Sequence, residues 1–137
     1  MVANDLFQEM AGEKYLRENY WKYLSEVIIL MYHTARLYSD MGKNVLIDGM
    51  LVERDELAPH YQQLTEILKD NPLDLVEVYG PLDICRKRNL IRGHRYESQS
   101  DGQHEWMAKN IAYRLSVDTS LHRAAGCAEI IVRELCL

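Results

Sequence analysis

Residues 86–95 read RKRNLIRGHR and hold five of the sixteen lysines and arginines in a chain whose formal net charge is −5. On a helix, Arg88, Arg92 and Arg95 fall at i, i+4 and i+7, so three guanidiniums line one face. Each can make paired hydrogen bonds to phosphate, and the spacing predicts an anion-binding surface. The plain alternative is a solvated helix end whose cations complement the backbone dipole.

Carboxylates recur where apolar runs end. Ligands of an open parallel sheet gather outside the carboxyl ends of its strands, which singles out Asp48 at the end of VLID and Asp118-Thr119 in VDTS. Asp48 can hold a magnesium ion or its water shell, since magnesium in phosphoryl transfer takes only one or two protein carboxylates. It can equally cap a turn with Gly49. Asp118, Thr119 and Ser120 read most simply as helix N-caps. Asp5 follows the short apolar stretch Met1-Val2-Ala3 and precedes Leu6, Phe7 and Met10; it is either a cap or a general base for a substrate hydroxyl.

The elements that must position these residues alternate. From Asn19 to Met41 the apolar residues Trp21, Leu24, Ile28, Met31, Ala35 and Tyr38 recur every three or four positions, predicting a long buried helix stopped by Gly42. KNVLID (43–48) follows as a core strand. A helix is expected from about 57 to 69, a second strand over 74–79, and a helix from Pro81 through the arginines to Gly93. The polar loop 96–102 has a mobile composition. A helical segment over 104–110, a third strand over 113–117 and a closing helix over 121–135 complete the chain. Strands separated by helical crossovers mean an α/β fold, a parallel sheet with helices on both faces.

At 137 residues with 47% hydrophobic content, the chain has the size of one domain, 1–137. No stretch of eighteen apolar residues exists and the amino terminus lacks a secretory pattern, so a cytoplasmic protein without membrane association is expected. Cys85, Cys127 and Cys136 are scattered and read as buried thiols. The five histidines form no ligand pattern, which predicts no zinc. Net acidity argues against a nucleic-acid partner.

The combination is more specific than its parts. D-x-F at Asp5, VLID, R-x-x-x-R-G-x-R, then Gln103, Tyr113 and VDTS together resemble the chloramphenicol phosphotransferase-like branch of the P-loop kinases, with 88–119 alignable without gaps. The resemblance implies a three-layer sandwich and a kinase that moves the γ-phosphoryl of ATP, with magnesium, to a hydroxyl of a small molecule. It makes Asp5 the catalytic base and Asp48 the aspartate near magnesium and substrate. Arg88, Arg92 and Arg95 become lid arginines acting on the transferring phosphoryl and on nucleotide. Gln103 becomes a substrate-contacting lid residue, in a lid of about 93–105, and Thr119 lies near the adenine. Two positions depart: family members commonly carry R-G-D-R where this chain has Arg92-Gly93-His94-Arg95, and a histidine where it has Ala108.

One part is missing. No G-x-x-x-x-G-K-[ST] occurs and the seven glycines are dispersed, so the chain as given lacks the family's first strand and P-loop. This predicts weak or absent ATP binding by the chain alone. It also predicts exposed strand edges that favour a homodimer, strand exchange or aggregation. The alternative function is a non-catalytic anion- or partner-binding module on a degenerate kinase scaffold.

Overall fold

A computed structural model of the chain describes residues 1–12, 20–54, 57, 59–93 and 98–136. Among them are six helices and four short strands, a mixed α/β chain with two small parallel sheets. The contacts divide into two compact units, Met1–Leu73 with Met107–Lys109, and Asp74–Trp106 with Asn110–Leu137.

In the first unit, β1 (Val2–Ala3) runs directly into α1 (Asn4–Ala11), and α2 (Tyr20–Asp40) leads to β2 (Ile47–Asp48). The two strands are parallel, with Val2 opposite Ile47 and Ala3 opposite Asp48. Leu24, Val27, Ile28, Met31, Tyr32 and Ala35 form the buried stripe of α2, the three-and-four spacing of a helix that covers a core. Gly42, at φ 72°, ends the helix; Lys43 N then bonds Tyr38 O at 3.0 Å, closing the last turn from beyond the left-handed residue. The expected strand over 43–48 shortens to two residues. Its partner strand among the described residues is itself two residues long, so the ladder stops there and Leu46 stays exposed.

The unit is closed by α3 (His60–Ile67), which follows Pro59 and buries His60, Leu64 and Ile67. An antiparallel bridge joins Val52 to Met107, and Ala108 N bonds Leu51 O at 2.8 Å. On α1 the apolar Leu6 and Met10 are exposed.

In the second unit, β3 (Val76–Tyr79) and β4 (Leu115–Asp118) pair in parallel, from Val76 opposite Leu115 to Tyr79 opposite Asp118. Arg114 bonds Asp74 at 2.6 Å and Ser116 bonds Glu77 at 2.7 Å, fixing this register from one side. Between the strands lie α4 (Leu82–Arg92) and α5 (Gln99–Trp106), and α6 (Ala124–Leu135) packs on β4. Val117 and Cys127 are buried, in β4 and α6.

Two expectations are corrected here. The polar segment read as a mobile loop over 96–102, with a helix only at 104–110, is helical from Gln99 to Trp106. The helix is paid for by docking rather than propensity: Asn89 on α4 donates to Ser100 at 2.6 Å, both buried, and Arg86 pairs with Asp101. Gly102 has no Cβ to meet the Trp106 indole, which would lie 3.0 Å from one. The cysteines are likewise not all buried: Cys127 is, Cys85 is partly covered and Cys136 is exposed.

Candidate functional site

The second unit builds a polar cluster at the carboxyl ends of β3 and β4. The Arg88 guanidinium, projecting from the middle of α4, donates from Nη1 to Thr119 Oγ1 at 2.8 Å and from Nη2 to Thr119 O at 2.6 Å. Thr119 Oγ1 in turn donates to Tyr79 O at 2.9 Å, which Thr119 N also reaches at 2.8 Å. A hydroxyl has one proton to give, so accepting from Arg88 fixes its direction toward Tyr79. This joins one helix and two strand ends through a single side chain.

Gly80 makes the convergence possible. A Cβ there would lie 3.1 Å from Thr119 Oγ1, 3.4 Å from Cys85 Sγ and 3.5 Å from Arg88 Nη1. Pro81 then occupies the cap of α4 with extended backbone.

Asp118 does not cap a helix. Its Oδ1 accepts from Ser120 N at 2.7 Å, a local turn ahead of α6, whose own cap is Arg123. Hydrogen bonds from Ser120 hold its carboxyl below the usual range, with smaller contributions from Tyr79 and the charge of Arg88.

Every described cation in the arginine run has a partner. Arg86 donates from Nε and Nη2 to Asp101, Lys87 lies 3.6 Å from Asp83 and Arg88 holds Thr119. The Arg86 hydrogen bond holds the Asp101 carboxyl below its ordinary value. Arg92 is exposed in the last turn of α4 and has an interaction of its own. Gly93, at φ 69°, ends the helix after Arg92; Arg95, the i+7 member of the expected face, lies outside the described residues. Gln103 is partly covered on α5.

In the first unit, the parallel pairing sets the two acidic candidates at one end of a sheet. Asp48 is the last residue of β2, and Asp5 lies two residues beyond Ala3, its partner in β1. Both are exposed. Asp5 sits close enough to Tyr20 that its charge, after burial, raises that phenol. Among the described residues no three His, Cys, Asp or Glu side chains gather as a metal cage. One exposed strand-end carboxylate suits a magnesium ion that arrives with phosphate and keeps its waters.

Sequence reasoning missed His60, which is fully buried with Nε2 3.3 Å from Ser25 Oγ. Only its place beside Pro59, at the head of a helix whose later positions are apolar, could have signalled burial.

A family model described as chloramphenicol phosphotransferase-like protein matches residues 9–136. No curated protein and no solved structure matches the chain. No helix of the described residues is long and apolar enough to cross a membrane.

Proposed function

From the premise that this chain belongs to the chloramphenicol phosphotransferase-like family, we propose that it carries the acceptor, magnesium and lid parts of a small-molecule kinase. The reaction is transfer of the γ-phosphoryl of ATP to an acceptor hydroxyl, on a P-loop-kinase-like sandwich. The observation that carries this reading is the Arg88–Thr119 junction at the carboxyl ends of β3 and β4, the edge where an open parallel sheet takes its ligand.

The roles follow from chemistry. Asp5 accepts the proton as the acceptor oxygen attacks phosphorus and the bond to the departing ADP oxygen breaks. Arg92 and Arg95 offset charge on the three equatorial oxygens, where most of the catalytic gain in phosphoryl transfer arises. Arg88 orders the turn at Thr119, beside the adenine. Gln103 contacts substrate from the lid. Asp48 would hold magnesium through water, and the ion would supply charge neutralisation at the phosphates.

The chain as given contains no phosphate-cradling loop, so the 137 residues by themselves bind ATP weakly and transfer little. Isothermal titration with Mg·ATP tests this: micromolar, magnesium-dependent binding would overturn it. A coding frame that continues upstream of Met1 into G-x-x-x-x-G-K-[ST] would support the kinase reading. If phosphate or sulfate stabilises the fold as strongly as nucleotides and no preparation phosphorylates a hydroxyl, the non-catalytic anion-binding module replaces it.

A further inference from the structure

His60 belongs to neither cluster described above, and its surroundings are unusual for a titratable group. It is completely buried, its Nε2 lies 3.3 Å from Ser25 Oγ on α2, and its Nδ1 is buried with no hydrogen-bond partner among the described residues. Ser25 is itself 8% exposed. A neutral imidazole bonds the serine through Nε2 and leaves only one uncharged ring nitrogen without a partner. An imidazolium carries two N–H donors; the serine oxygen meets one, and the other would be left in a dry interior. Charging His60 therefore requires water at Nδ1, and parting α3 from α2 at the His60–Ser25 contact would admit it.

We infer that His60 is an acid-sensitive latch between α2 and α3, released when its ring takes up a proton. Leu64 and Ile67 share the buried face of α3, so the release exposes them as well. The second unit has no corresponding group among its described residues, and its strand-end cluster keeps its bonds when the latch opens.

Among the described residues, the charged neighbours do not replace water in this role. Within one turn of the contact, α2 carries Lys22 and Glu26, both exposed, and α3 carries Tyr61. The Lys22 ammonium lies over the Tyr23 ring at 5.8 Å. Further along the buried face of α2, Tyr32 is kept protonated by burial. None of these groups contributes to the shift of His60, which burial depresses. A histidine depressed on folding adds stability above its unfolded value, near about 6.5, and that stability is lost as pH falls from there through the folded value.

The test follows the imidazole resonances of the full ¹⁵N-labelled chain, together with backbone amide protection, from about pH 8 to about pH 4.5. The expected result is that His60 stays neutral below the ordinary imidazole value. It then titrates together with loss of protection in 20–40 and 60–67, while 76–79 and 115–118 remain protected. Titration near about 6.5 with α2 and α3 still protected would overturn the inference. In parallel, His60→Leu removes the ring; where it folds, its melting temperature falls less between neutral pH and pH 5 than that of the wild type. An equal fall overturns the proposal, and if the variant fails to fold the wild-type titration decides.

Discussion

Arg88 and Thr119, thirty-one residues apart, are joined by two hydrogen bonds from one guanidinium, one to the hydroxyl and one to the carbonyl. The arginine that the sequence offers to a phosphate is thereby committed to a strand end. Its planar fork spans two acceptors on one residue, a geometry that an ammonium cannot copy.

Arg88→Ala should destabilise the chain by about 1–2 kcal/mol, the lower part of the range for bonds to a charged donor because the site is partly exposed. Arg88→Lys should recover less than half of that loss. Urea denaturation measures both; a lysine variant as stable as wild type would show that charge, not the fork, matters.

Gly80→Ala should cost about 1 kcal/mol, because a Cβ 3.1 Å from Thr119 Oγ1 meets an atom pinned from both sides by Arg88 and Tyr79. Removing one pin should relieve the crowding. The cost of Gly80→Ala measured in the Arg88→Ala background should be smaller, and a strictly additive double-mutant cycle would refute the coupling.

The docking of α5 on α4 rests on two unequal contacts. Arg86 and Asp101 keep 52% and 41% side-chain exposure, so Asp101→Asn should change stability little, and less still at high salt. Asn89 and Ser100 are buried, and Asn89→Ala orphans a hydroxyl at a cost of about 1–3 kcal/mol. Hydrogen exchange in 102–106 should therefore accelerate more in Asn89→Ala than in Asp101→Asn. The reverse order would mean that the ion pair holds the helix.

What the sequence reveals follows from the range of the interactions involved. The buried stripe of α2 is readable because its periodicity is local, and Gly42 and Gly93 are readable because a left-handed residue is a local demand. The strand-end positions of Asp48 and Asp118 followed from apolar runs that stop at them. By contrast, α5 has the composition of a loop, and bonds from Asn89 and Arg86, eleven and fifteen residues away, dock it as a helix. The engagement of Arg88 by Thr119 and the burial of His60 against Ser25 depend on contacts more than thirty residues apart, which no spacing rule carries. Short strands such as Val2–Ala3 contain too few residues to show alternation.

Asp5→Asn should leave stability within about 0.5 kcal/mol of wild type, since the residue is exposed and follows a helix start at Asn4 that no side chain caps. In a preparation that transfers phosphoryl, the same change should lower kcat by at least about 100-fold with little effect on nucleotide binding. A variant that transfers at the wild-type rate would remove Asp5 as the base.

The most direct test of a kinase ancestry is to titrate the ¹⁵N-labelled chain with Mg·ATP and map the residues that respond. The account predicts weak, millimolar binding whose perturbations centre on Thr119 and Arg88 at the ends of β3 and β4, on Arg92 in the last turn of α4, and on Asp48 at the end of β2. Saturation at millimolar nucleotide with those resonances unmoved, and shifts confined to other surfaces, would contradict it.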